Sequence, residues 1–227
     1  MALTGPIAVF ANLLQFVGAF VSFSIAYVSL RGLRETESPT LLRLATAFVF
    51  LAFGFVVQGL VGLGTEAIIP GIAAFATTML ISGLLLETTG YFFLAFSHVM
   101  DVAMSKKMGL ALMIFPIVTV SGVQVSDILR FLSFYFIMYG VVETLYSYGK
   151  THRPDTLIIA AGMVLIALGG LVEWLSILES TLIALPLVQI LMKEIGLLIL
   201  FIPVLKFTFG RKEMWDDAIL DPGQDNR

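Results

Sequence analysis

The amino-acid sequence predicts an all-α integral membrane protein with seven transmembrane helices. Three observations favour this fold class: the composition, a series of long apolar segments, and a stretch that occurs twice. Apolar residues make up 59% of the chain, charged residues make up 13%, and the mean hydropathy is +1.00. These values differ strongly from those of soluble domains, so we expect a multi-pass protein of the cell membrane, in contact with the lipid bilayer.

Seven apolar segments are long enough, or nearly so, to cross about 30 Å of hydrocarbon, which takes about 20 helical residues. We number these predicted segments from 1 to 7; they cover residues 6–30, 41–63, 72–100, 108–125, 128–149, 156–178 and 182–208. Segment 4 is the shortest and contains Pro116 and Gly122. Because no basic residue precedes segment 1, we interpret that segment as a helix rather than a cleaved signal peptide.

Basic residues lie at or beside the ends of segments 1, 3, 5 and 7, whereas the other three connections are acidic. The basic residues are Arg31, Arg34, Arg43, Lys106, Lys107, Lys150, Arg153, Lys206, Arg211 and Lys212. They share one face of the membrane only if all seven segments span. The positive-inside rule then predicts an N-terminus outside and a C-terminus in the cytoplasm.

An internal repeat predicts how the segments are arranged. The stretch 39–63 matches 154–178 after a shift of 115 positions, with nine of 25 residues identical. Segments 1–3 and 5–7 are then two parallel three-helix repeats joined by an inverting helix, a 3+1+3 layout. We divide the chain into a first repeat (1–103), a linking helix (104–126), a second repeat (127–209) and a short cytoplasmic tail (210–227).

This layout resembles the SWEET sugar transporters in topology only. The Pro-Gln pair that SWEET helices carry is missing, so none of their residues is assigned here.

Lys193 in the last segment and Glu87 in the third also resemble features of microbial rhodopsins, which bind retinal on such a lysine. Gln189 stands where those proteins have an aspartate, and segment 6 has no Trp or Tyr in its central stretch. A retinal-binding protein is therefore the remote alternative.

Ionisable residues inside the segments are the candidate functional residues, because a charge at the bilayer centre costs at least about 2.5–3.5 kcal/mol on insertion scales. Glu87 and Lys193 occupy corresponding places in the two repeats, which predicts an ion pair near the midplane. Glu194 points about 100° away from Lys193 around the helix, so we expect it to face another partner, such as Arg130 or a water-lined cavity. Glu143 is a further intramembrane carboxylate. The pair either fixes helix register or forms a site for a small polar solute or proton.

Gln58 and Glu173 are equivalent positions in the repeat, each about one turn from the predicted outer end of its segment. With Trp174 beside Glu173, they predict an outer mouth. The alternative interpretation is that these residues mark the membrane interface, where amphipathic side chains concentrate.

The sequence also limits the classes of function. The absence of cysteine excludes thiol chemistry and iron–sulfur clusters, and two histidines are too few for a metal site, so we predict no metal and no cofactor. With no catalytic motif and no sign of nucleic-acid binding, we predict a non-enzyme. A transporter is favoured; the alternatives are a sensory or partner-binding module and an accessory subunit.

Small residues on segments 2 and 6 predict close packing, either within the chain or with a membrane-protein partner or second copy.

Overall fold

The computed structural model describes residues 6–37, 39–66, 72–99, 124–178 and 185–220, which form six α-helices. The helices are α1 (Pro6–Thr36), α2 (Pro39–Glu66), α3 (Ile72–Val99), α4 (Val125–Thr151), α5 (Pro154–Leu178) and α6 (Leu185–Leu220). Each contains at least 21 residues that are apolar enough to cross a membrane, in agreement with segments 1–3 and 5–7. Segment 4 lies outside the described residues. The architecture is that of a polytopic helical membrane protein.

Two of the connections between helices have the same construction. α1 and α4 each end at a non-glycine residue in the left-handed region, Glu37 (φ 53°) and His152 (φ 51°). In both cases the N–H donates to the carbonyl four residues earlier, at 2.8 Å. The next helix then begins at Pro39 or Pro154, whose constrained φ and missing N–H suit the first helical turn. The chain therefore reverses direction in the same way at both places.

Two helices are longer than their apolar segments. α1 continues past residue 30, where Arg31 and Glu35 form an ion pair between successive turns at 3.7 Å. α6 continues to Leu220, so the first part of the predicted tail 210–227 is helical. Hydropathy identifies only the part of a helix that is suited to hydrocarbon. A polar continuation of the same helix is therefore not detected by it.

The six helices form a closed ring. Each helix packs against the next one in chain order, and α6 packs against α1. α3 and α4 run in the same direction, because Thr88 contacts Ser133 at 2.8 Å and, one turn later in both helices, the rings of Phe92 and Phe136 lie 5.4 Å apart. The other chain neighbours are antiparallel, so α6 and α1 are also parallel. We call these two parallel contacts the α3–α4 seam and the α6–α1 seam.

Glycines bring neighbouring helices close together. A Cβ on Gly54 of α2 would lie 3.0 Å from the backbone nitrogen of Glu87, and a Cβ on Gly169 of α5 would lie 3.2 Å from that of Lys193. Only glycine allows such contacts without displacing the partner helix. These members of the predicted small-residue faces therefore pack within the chain.

The outer surface of the ring is apolar, and a few charged side chains are buried in its largely apolar interior. Large apolar side chains are exposed on its outside, including Phe20 (72%) and Tyr27 (68%). Charged side chains, in contrast, are buried inside, with Glu87 only 1% exposed. An apolar outer surface suits contact with lipid, and the interior is where polar groups find partners.

Candidate functional site

The buried charges meet at the centre of the ring around Lys193 of α6. Its Nζ donates hydrogen bonds to Glu87 Oε1 on α3 at 2.8 Å and to Glu173 Oε2 on α5 at 2.6 Å. All three side chains are almost fully buried. The described parts of α3 and α6 do not pack against each other, so the Lys193 side chain connects these two helices. The structure therefore brings Glu87 and Lys193 together.

Two more side chains extend this group to five helices. Gln58 Nε2 donates to the second carboxylate oxygen of Glu87 at 2.8 Å. Arg130 Nε lies 3.1 Å from Glu173 Oε1, in an ion pair whose N–H is not aligned for a hydrogen bond. We call the five side chains the central network: Gln58 (α2), Glu87 (α3), Arg130 (α4), Glu173 (α5) and Lys193 (α6).

The charges of the central network balance. Two carboxylates face two cations, and each oxygen of Glu87 and Glu173 has a polar partner. Buried ion pairs are tolerated only when the geometry is good and the remaining polar atoms are satisfied. The carboxylate oxygens of the central network meet the second condition, whereas Arg130 Nε has no hydrogen-bond partner among the described residues. The partly exposed Arg130 carries the network to the surface of the ring.

Gln58 and Glu173, which the sequence predicts at an outer mouth, contact Glu87 and Lys193 directly. The reason is the direction in which helical side chains extend, which is toward the N-terminus of their own helix. α2 and α5 run opposite to α3 and α6, so the side chains on the two sets of helices extend toward each other. Residues whose backbones lie at different depths thereby meet at one depth.

Trp174 and Glu143 stand apart from the central network. The Trp174 ring packs near Phe131 of α4, with ring centroids 6.5 Å apart. Glu143 accepts a hydrogen bond at 3.1 Å from the hydroxyl of Tyr139, one turn away on the same helix. Neither residue is joined to the central network by a contact described here.

Glu194 does not face Arg130, which pairs with Glu173 instead. Its carboxylate packs against Gly18 of α1, where a Cβ would overlap it. The side chain of the neighbouring Lys193 points into the ring. Successive residues of a helix are rotated by about 100°, so Glu194 points toward the α6–α1 seam. The sequence predicts Arg130 only as a partner for Glu194. The signal for its pairing with Glu173 is their similar predicted depth, since Arg130 lies near the start of segment 5 and Glu173 near the end of segment 6.

A small cavity adjoins the central network. Its volume is about 10 Å³, close to the minimum that holds one water molecule. The polar residues that line it are Tyr91, Arg130, Ser133, Glu173 and Lys193. The cavity therefore offers a water-sized polar space beside the bridging lysine.

The donor set does not suit a metal ion, since the described residues contain no group of three or more His, Asp or Glu side chains in metal-binding proximity. The chemistry available at the centre is hydrogen bonding and proton exchange among carboxylates, an ammonium and water.

Comparison with known proteins finds no matching family model, no similar curated protein and no similar solved structure.

Proposed function

We propose that the protein moves protons across the membrane and that the central network is the site through which they pass. The observation that carries this proposal is one continuous buried chain of polar side chains from five helices, beside a cavity of water size. Three ion pairs are more than helix packing requires, because apolar side chains of similar volume often stabilise a core as well or better. Ionisable groups inside a membrane commonly mark ion pathways and proton relays.

The size of the cavity favours a proton over a larger solute. A space of about 10 Å³ accommodates roughly one water molecule, whereas pockets for drug-sized ligands measure about 300–1,000 Å³. The same argument disfavours retinal on Lys193, whose Nζ is also held by two carboxylates. Carboxylates and a bound water are sufficient to accept and release a proton.

The proposal includes seven membrane spans, with segment 4 among them. Support comes from the parallel arrangement of α3 and α4: α3 ends at Val99 on one side of the ring and α4 begins at Val125 on the other. The intervening chain has to return across the thickness of the bundle, and segment 4 (108–125) is apolar enough to do so. With the basic residues placed inside, the N-terminus is outside and the C-terminus is cytoplasmic.

The proposal also treats α1–α3 and α4–α6 as repeats related by a twofold axis along the membrane normal. Gly54 packs on Glu87, and Gly169, 115 positions later, packs on Lys193. Gln58 donates to Glu87, and Glu173, again 115 positions later, accepts from Lys193. On this arrangement the Glu87–Lys193 ion pair crosses the axis and joins the two halves.

A flux measurement tests the proposal. The purified protein is reconstituted into liposomes that contain a pH-sensitive dye, and a pH gradient is imposed. We expect the wild type to dissipate the gradient faster than empty liposomes, and the charge-balanced variant Glu87→Leu/Lys193→Met to behave like empty liposomes. Glu143→Gln is the matched control, because the hydrogen bond described for Glu143 lies within its own helix, away from the central network. A wild type no faster than empty liposomes, or an unchanged double variant, contradicts the proposal.

A further inference from the structure

The α6–α1 seam contains a buried carboxylate that the central network does not use. Glu194 is 4% exposed, and its Oε2 has no hydrogen-bond partner among the described residues. It packs against Gly18, and the buried oxygens Gln15 Oε1 and Ser22 Oγ, about one turn to either side of Gly18, also lack partners in the described part of the chain. The seam therefore holds several buried oxygens with unused hydrogen-bonding capacity.

Among the described residues, no cation is left over to neutralise Glu194. The charged groups that act on it are its neighbour Lys193, which attracts the carboxylate, and Glu87, which repels it. Lys193 is already bonded to Glu87 and Glu173, and Arg130 is paired with Glu173. α1, which packs against Glu194, contributes no charged residue before Arg31. An isolated buried carboxylate is strongly disfavoured unless it gains a cation or a proton.

The α3–α4 seam provides an internal comparison. There the hydroxyls of Thr88 and Ser133 lie 2.8 Å apart, and Thr88 is also within 3.2 Å of Leu129 O. Lys193 lies 106 positions after Glu87, and Glu194 lies 106 positions after Thr88, so Thr88 corresponds to Glu194 in the predicted repeat. In the same way, Ser133 lies 115 positions after Gly18 and corresponds to it. One seam is thus neutral and hydrogen-bonded, and the other has a carboxylate against a bare glycine. The repeats differ chemically at this point.

We infer that Glu194 is a proton-binding site at the α6–α1 seam, and that the bound proton keeps this seam closed. The carboxylate takes up one proton and becomes a neutral carboxyl group whose O–H donates to a buried acceptor oxygen; no other bond changes. Loss of the proton leaves a buried charge that water has to solvate, so the seam opens. Closure is therefore present at low pH and is lost as pH rises. The physiological meaning of this site rests on the proposed function.

The first test measures the proton itself. Infrared difference spectra of the protein in nanodiscs, recorded across a pH titration, report the carbonyl band of protonated carboxyl groups. We expect the wild type to keep a protonated-carboxyl band at pH values where exposed carboxylates are already ionised, and to lose it as pH rises further. At those pH values the band should be missing in Glu194→Gln and present in Glu143→Gln. A spectrum of Glu194→Gln identical to that of the wild type overturns the inference.

The second test measures the seam. The chain has no cysteine, so spin labels can be placed at Ile7→Cys and Val188→Cys across the α6–α1 seam, and at Phe75→Cys and Val125→Cys across the α3–α4 seam. All four side chains are exposed. We expect the first distance to increase as pH rises and the second to stay constant. The increase should be abolished in Glu194→Gln and in Gly18→Ser/Glu194→Thr, which copies the other seam.

A pH-independent first distance, or an increase that persists in both variants, overturns the inference. The flux assay tests the proposed function independently of this site. Liposomes without proton flux would refute the proposed function, whereas a responsive seam and an infrared band from Glu194 would still support the proton site. Flux with neither the band nor the seam response would support the function and refute the site.

Discussion

At the scale of single residues, Lys193 determines how the interior charges are arranged. Its ammonium contacts two carboxylates on different helices, and one of these, Glu173, is also held by Arg130. The balance of two positive and two negative charges makes every member dependent on the others. Removing one charged member leaves a net charge in a buried site beside a cavity of about 10 Å³.

Charge balance leads to a double-mutant prediction for Glu87 and Lys193. Lys193→Met and Glu87→Leu each leave an uncompensated buried charge, so each should lower the free energy of unfolding by about 3–5 kcal/mol. The double variant keeps Glu173 and Arg130 as a balanced pair and should recover much of the loss. Recovery should be incomplete, because Gln58 loses its acceptor, at a cost of about 1–3 kcal/mol. Denaturant unfolding of the purified protein in detergent measures all four forms.

The combination of stability and flux separates a structural pair from a functional one. A double variant that is stable but carries no proton flux supports a role in transport. A double variant with normal stability and normal flux shows that the pair only holds the helices together. Strictly additive losses of stability would contradict the contact between Glu87 and Lys193.

At the scale of helices, glycine positions decide how closely α5 approaches its neighbours. Gly169 and Gly170 are adjacent in sequence but differ in their surroundings. A Cβ on Gly169 would lie 2.9 Å from the carbonyl oxygen of Gln189, whereas a Cβ on Gly170 would lie no closer than 3.5 Å to Phe134. The first is a collision with the α6 backbone, and the second is an ordinary van der Waals contact.

Alanine substitutions at the two glycines should therefore have opposite effects. Gly169→Ala pushes α5 away from α6 and should destabilise the fold by about 1–3 kcal/mol, as overpacking does in well-packed cores. Gly170→Ala should be neutral or stabilising by up to about 1 kcal/mol, because alanine is the better helix former. Thermal unfolding of both variants in the same detergent measures the difference. Equal destabilisation by both substitutions would show that α5 and α6 are not in close backbone contact.

At the scale of the whole molecule, the two parallel seams define the path of the chain. Antiparallel neighbours need only a short turn, such as those at Glu37 and His152. Parallel neighbours need a connection that returns to the starting side. The stretch between Val99 and Val125 joins one such parallel pair, which is why the orientation of segment 4 decides the topology of the protein.

Labelling of single cysteines tests this topology. Ser105→Cys and Gln124→Cys lie at the two ends of segment 4, and the chain has no cysteine of its own. A membrane-impermeant thiol reagent applied to intact cells should label Gln124→Cys but label Ser105→Cys only after the cells are opened. Glu37→Cys, at the end of α1, is the cytoplasmic control. Labelling of both ends of segment 4 from the same side would refute the seventh span.

The sequence by itself determined the helices and predicted one interior contact. Composition and the length of apolar segments locate α1 to α6, because membrane thickness sets the length of a spanning helix whatever its neighbours are. The pairing of Glu87 with Lys193 could be predicted from corresponding places in the two predicted repeats. Seven spans, the repeat and the orientation remain predictions.

The tertiary structure decided which polar side chains meet. Gln58 and Glu173 belong with the central pair, since side chains on oppositely directed helices extend toward each other, and helix direction in space cannot be read from residue types alone. The pairing of Arg130 with Glu173 leaves Glu194 against Gly18, without a counter-ion among the described residues. Position along the chain specifies depth in the membrane only roughly, whereas the partner of a side chain depends on how neighbouring helices are rotated and how closely they pack.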